Sequence, residues 1–183
     1  SLLAQHLGVE RAAYAEIDEA GEYAIIRRDW NDGSLQSHAG SHRLAEFGAT
    51  FLAELLAGQS IAVRDVGSDH RIATSAAVKA FAERGVAAFL NVPHLQDERL
   101  TGVLALGALK PRDWHPAEVA LAAEVAERIN RAMERARAVD AARGTPGAPH
   151  LVGQAADLVV FTQADATGWQ QAVVPEDEHR HEH

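Results

Sequence analysis

With 183 residues, 47% of them apolar, the chain has the size and composition for one well-formed core and a second small unit, and it is not of the disordered type. It contains no cysteine, which excludes disulfides, thiolate metal sites, cysteine nucleophiles and thioether-linked cofactors together. The formal charge of -9 is concentrated from residue 145 onward, where Asp157, Asp165, Glu176, Asp177, Glu178 and Glu182 face the single base Arg180, so no net basic domain supplies the attraction on which nucleic-acid binding depends.

No run reaches the roughly 18 uninterrupted apolar residues of a membrane span, and the start lacks a basic stretch followed by an apolar one. The expectation is a cytoplasmic protein, or a piece of one, with no membrane contact. The opening SLLAQHLGV reads as the end of a helix, with Leu2, Leu3 and Leu7 at helical spacing and Gly8 as its stop. RAAYAEID and EYAIIRRDW then form a β-hairpin around residues 18–21. NDGSLQSHAGSHRL follows as a polar loop. Residues 47–58 are helical by the spacing of Phe47, Phe51, Leu52, Leu55 and Leu56, with Gly58 ending them.

SIAVRDV reads as a short strand, GSDHRIATS as a loop, and residues 76–84 as a second helix stopped by Gly85. A second hairpin pairs residues 86–95 with 100–109 around 96–99. Its strands are apolar or small on both faces, the pattern of central strands covered twice. Pro93 cannot donate to a ladder and is expected at a bulge or near the strand end. Asn91 is the one polar side chain in mid-strand; it either bonds a neighbouring backbone group or meets a ligand.

Residues 116–143 form a long exit helix, with Asp113 as its cap, Pro116 in the first turn and Glu118 near the positive end of its dipole. Ala122, Val125, Ile129, Ala132, Ala136 and Val139 step by 3 and 4, a heptad seam. The first half is expected to pack on the sheet. The second half outruns it, which points to a partner helix in a homodimer through Val125, Ile129, Ala132, Ala136 and Val139. Residues 144–150, containing GTPGAP, are a linker.

This order of elements resembles a GAF domain, an α+β fold with a central antiparallel sheet flanked by helices. Asn91-Val92-Pro93 followed by Gly102-Val103-Leu104 is similar to that family's hairpin, over about residues 1–143. RRDWNDGS, HRLAEFG and KPRDWHPAEVALAAEVAERI resemble segments of GAF sensor domains in bacterial histidine kinases of two-component systems. Against the family pattern the first helix is truncated, and Glu98 replaces a frequent turn glycine. HLVGQAADLVVFTQAD and GWQQAVVPEDEH resemble pieces of a PAS domain, although residues 151–183 are too short to fold as one and read equally as a disordered tail.

The resemblance implies a pocket between the sheet and the elements crossing one face, to which His42, Arg43, Phe47, Phe51, His70, Arg71, Ile72, Phe89 and Asn91 belong. The phenylalanines suit a core as well, and the charges suit solvent. Arg43 and Arg71 are candidates to pair with an anionic group. Trp30 is read as a lid or a surface anchor. His38 and His42, four apart in a loop, and the terminal HRHEH carry the weak metal signals, and neither is taken as a site. No catalytic constellation stands out, so the segment is read as non-enzymatic.

Without cysteine a bilin cannot be attached by thioether and thiol reductase chemistry is closed, and the Asn-Lys-Phe-Asp-Glu set of cyclic-nucleotide-binding members is missing. The cofactor or ligand is therefore unknown. Two readings remain: a small-molecule sensor acting through a dimeric exit helix, and a ligand-free structural dimerisation module.

Overall fold

The structure is a computed structural model and describes residues 1–35, 37–72 and 75–142. Six antiparallel strands form one sheet: β1 (Arg11–Ile17), β2 (Tyr23–Asn31), β3 (Gly40–Arg43), β4 (Ile61–Val63), β5 (Ala88–Gln96) and β6 (Arg99–Ala108), in the spatial order β3-β2-β1-β6-β5-β4. Helices α1 (Leu2–Leu7) and α4 (Pro116–Ala142) cover one face. Helices α2 (Ala49–Leu56) and α3 (Ser75–Glu83), with the 3-10 turns Leu44–Phe47 and His70–Ile72, cover the other. This is the α+β architecture that the sequence implied. The strand β3 lies within the segment read as loop, because a run as polar as GSHR carries no apolar alternation and takes its conformation from pairing with β2.

Alternation along the central strands divides the core in two. Ala88, Leu90, Val92, Leu104 and Leu106 point toward α4, where they meet Val125, Ile129 and Met133. Phe89 and Val103 point the opposite way, toward α2 and α3. The two faces differ in bulk. On the α4 face the inner strands carry leucine and valine; on the other they carry Ala13, Ala15 and Ala105, with Gly107 beside them.

Tyr14 joins the α4 layer to the sheet. Its ring lies over Gly102, where an added Cβ would come within 1.9 Å of the phenol oxygen. Its hydroxyl donates to Asn130 Oδ1 on α4 at 2.6 Å, and burial pushes the phenol pKa upward. Opposite Tyr14, β2 is bulged: Ala13 pairs with Asp29 and Ala15 with Ile26. In a regular strand Ile26 and Asp29 would face opposite ways; the bulge turns both to the same face.

The start of α4 is wired differently from the reading with an Asp113 cap. Asp113 pairs with Arg64 at the surface, and the Glu118 carboxylate instead accepts from the His115 backbone N–H at 2.8 Å, with Pro116 at the first helical position. Arg112 donates to Leu7 O at the end of α1, pairs with Glu118 and stacks on Trp114, whose indole N–H donates to Val63 O at 3.0 Å. Trp30 is half-buried against the α4-side core, so it is neither a lid over the opposite face nor an exposed anchor. Pro93 sits beside the register shift at His94 and Leu95, as its missing N–H requires.

Val125 and Ile129 are fully committed to the chain's own core, and Ala132 is buried with them. That corrects their assignment to a dimer surface: no second helix can cover them while α4 lies on the sheet. Ala136 is half-buried and Val139 exposed, so the seam is open only from there. The linker at 144–150 and the PAS-like reading of 151–183 lie outside the described residues. Among the described residues, no helix is long and apolar enough to cross a membrane.

Two substitutions test this packing. The β5–β6 turn holds Asp97 and Glu98 at φ 50° and 61°, the type I′ pattern in which glycine suits the second position. Glu98→Gly is expected to stabilise the protein by about 0.5–1 kcal/mol in urea unfolding, the left-handed strain outweighing glycine's entropy. Gly102→Ala is expected to cost about 2–3 kcal/mol by the same measurement, since Tyr14 must leave its place.

Candidate functional site

The small side chains on the inner strands leave a hollow that α2 and α3 do not fill. A cavity of about 100 Å³ opens there, floored by Ala13, Ala15, Ala24, Ala105 and Gly107 and walled by Phe47, Phe51, Phe81 and Phe89. Ala105 shows the effect directly: it lies in the middle of the sheet on a strand covered on both sides, yet it is only half-buried. The phenylalanines form one packed group, with Phe81 stacked on Phe89 at 4.7 Å between ring centres and Phe51 edge-on to Phe89 at 5.7 Å. Asn91 also lines the cavity. It is 9% exposed, and its amide makes no hydrogen bond to another described residue.

One end of the cavity is cationic and is built by a helix stop. Gly85 takes φ 67°, with its N–H donating to Ala82 O and the Val86 N–H to Phe81 O, the paired bonds of a Schellman motif. Arg84, the residue before it, is thereby set at the mouth. Its Nη1 donates to Ala80 O at 2.6 Å and its guanidinium lies 5.0 Å from the centre of the Phe47 ring. Arg11 comes from the start of β1, donates to Arg84 O at 2.8 Å, and faces Asp29 at 3.5 Å. Asp29 reaches Arg11 because of the bulge in β2, and also accepts from Ser37 Oγ and the His38 N–H.

His38 and His42 stack with ring centres 4.1 Å apart. His42 Nε2 lies 2.9 Å from His38 O and Nδ1 3.4 Å from Arg84 Nη2, which fits the tautomer that donates to the carbonyl and accepts from the arginine. Burial first, then the nearby His42, Arg11 and Arg84, pull the His38 pKa down to about 3 against the opposing pull of Asp29. The stacked pair turns ring faces to each other. Among the described residues no group of three His, Cys, Asp or Glu side chains could hold a metal ion.

An apolar hollow, open at one side, on one face of an antiparallel sheet with a long helix on the other agrees with the family match, which covers residues 1–133. The chain belongs to the GAF domain family. The fold is similar to the blue-light absorbing form of the Thermosynechococcus elongatus PixJ GAF domain, with TM-score 0.58 at 18% identity over 67% of this chain and 73% of that one. It is similar to a domain assigned to a two-component sensor histidine kinase protein of Sinorhizobium meliloti 1021, with TM-score 0.60 at 20% identity over 78% and 90%. NpR6012g4, a red/green cyanobacteriochrome in its red light-absorbing state, gives TM-score 0.65 at 17% identity over 75% and 90%. At these identities the likeness is one of fold. No curated protein matches the sequence.

In this GAF domain the cavity brings together His42, Phe47, Phe51, Phe89 and Asn91 of the residues picked from sequence. Arg43 and His70 are exposed and Ile72 is buried in the core near α2. Arg71 is spent elsewhere: it forks onto Asp69 at 2.8 and 2.6 Å and donates to Ala62 O at 2.7 Å, with Glu54 at 3.4 Å. The Arg71 side-chain bond holds the Asp69 carboxyl below its usual range. Arg11, His38, Phe81 and Arg84 line the cavity too and were not among the pocket residues picked from sequence. Arg84 had a signal, since a residue just before a helix-stopping glycine is a cap with a fixed place.

Two outcomes are expected. Arg71→Met should lower stability by about 2 kcal/mol in urea unfolding, because it leaves Asp69 and the Ala62 carbonyl without their donor, and should leave the cavity intact. His38 has a folded pKa below its unfolded value of about 6.5. Its contribution is therefore fully present above that value and is lost as the pH falls toward about 3. His38→Gln should flatten that part of a stability-against-pH curve; an unchanged slope would contradict the assignment.

Proposed function

We propose that this GAF domain is the regulatory, small-molecule-sensing part of a cytoplasmic signal-transduction protein, of the sensor histidine kinase type. The observation that carries this reading is the position of Tyr14. Its neighbours Ala13 and Ala15 floor the cavity, while its own hydroxyl is bonded to Asn130 on α4. A molecule that binds better to one position of β1 shifts the equilibrium toward it, and the buried polar link from that strand segment to α4, Tyr14 to Asn130, moves with it. Arg137 of α4 near Glu16 at 3.6 Å lies on the same route.

The similarity to a domain assigned to a sensor histidine kinase supports the kinase context. The domain binds and relays in this reading and does not itself catalyse. A bilin held by thioether has no cysteine to hold it. Dimerisation belongs to the far part of α4, from Ala136 and Val139 onward, since the earlier seam positions are buried within the chain.

Native mass spectrometry of the full chain tests the reading. A dimer carrying a discrete added mass is the expected result, with Ala105→Val closing the cavity and removing that mass. A dimer without added mass would favour a ligand-free structural module. Val139→Glu should shift the population toward monomer, and a strict monomer in the unaltered chain would end the dimer proposal. Tyr14→Phe should keep ligand affinity within about twofold yet uncouple α4, read as lost ligand dependence of amide exchange in that helix.

A further inference from the structure

The side chains that line the cavity are unequal in charge. Arg11, Arg84, His38 and His42 reach it, and no aspartate or glutamate among the described residues does. Arg11 has Asp29 behind it, a pairing with both side chains almost fully buried. Arg84 has no such counterion. Glu46, half-exposed on the outer side, stands 3.5 Å from Nη2, and His42 Nδ1 is 3.4 Å from the same nitrogen. Both are long for hydrogen bonds. Nε is buried with no hydrogen-bond partner among the described residues. The short bond to Ala80 O uses Nη1. The Arg84 donor without a partner is therefore Nε, and Nη2 beside it is held only by the two long bonds to Glu46 and His42; together they form the pair of parallel donors that matches a carboxylate.

The rest of the cavity is aromatic and aliphatic, with one polar exception. The Asn91 amide, nine-tenths buried, has no partner among the described residues. It stands in the sheet row of Ala105 and Ala13, whereas Arg11 stands in the next row with Phe89 and Gly107. The polar groups thus lie at separate places around an apolar middle. A volume of about 100 Å³ is below the roughly 150 Å³ that takes up a benzene ring in an engineered cavity. The occupant is small.

Resting on the reading of this cavity as a sensor pocket, we propose that its ligand is a small monocarboxylate. The carboxylate takes the Nε and Nη2 edge of Arg84, and Glu46 turns out to solvent. A short branched aliphatic body fills the space between the phenylalanines. An oxygen or nitrogen on the far end of the body, where the ligand has one, satisfies Asn91. The ligand is bound as the anion, because a neutral acid would leave the arginine edge unpaired and a cation would face arginine with no lining acid to balance it.

The test is isothermal calorimetry and thermal shift on the full chain with 2-methylpropanoate and 3-methylbutanoate, each beside its neutral amide and its amine counterpart. Carboxylates are expected to bind and to raise Tm, with amides and amines roughly tenfold to a hundredfold weaker. Arg84→Met should abolish the preference for the acid. Arg84→Lys, which keeps the charge and loses the planar fork, should retain part of it, and serves where the methionine variant does not fold. Amides binding as well as acids, or a preference that survives in both variants, would overturn the anionic ligand while the pocket reading stands. An added mass in native spectra of some other charge class would do the same. No binding by any probe and no added mass would overturn both.

Discussion

A sheet with two covered faces must fill both with side chains, and here the two faces are filled unequally. Toward α4 the inner strands present Leu90, Leu104 and Leu106, which close against Ile129 and Met133. Toward α2 and α3, β1 and β6 present Ala13, Ala15, Ala105 and Gly107, and Phe47 and Phe81 of the covering elements pack on one another, and Phe81 on Phe89 of β5, rather than on those small residues. Filled cores approach crystal density. A hollow at the centre of a sheet is thus a departure held open by aromatic packing, and the polar groups described above stand around it.

The parts of the fold set by short-range pattern were legible. Gly8, Gly58 and Gly85 marked real stops, the two hairpins paired as read, and α4 followed its seam. Phe47, Phe51, Phe89, Asn91 and His42 were placed at the pocket by the resemblance to the GAF family, and the structure brings these five to the cavity. Arg11 and Arg84 were not found, because 73 residues separate the guanidinium of one from the carbonyl of the other. No local pattern encodes that meeting. The misreading of Arg71 has the reverse cause: its partner Asp69 stands two residues away, and an arginine that close to an acid was more readily satisfied locally than by a ligand.

Periodicity alone could not divide α4. The same 3 and 4 spacing that packs a helix on a sheet also packs it on a second helix, so Val125 and Val139 look alike in sequence. What separates them is where the sheet ends, and that depends on strand lengths fixed far away along the chain. The β2 bulge is a similar case. Its two arginines opposite Tyr14 look like ordinary strand residues, yet the extra residue is what turns Asp29 inward to Arg11.

Trp114 gives the domain an optical property. Its indole is held by Val63 on the edge strand and stacked by Arg112, which also grips the end of α1 and the first turn of α4. A cation lying against an indole face shifts and quenches its emission according to distance. The junction where the chain leaves the sheet for the long helix therefore carries its own fluorophore, and relative movement of α1, β4 and α4 bears on the Trp114 share of an ultraviolet emission to which Trp30 and Trp169 also contribute.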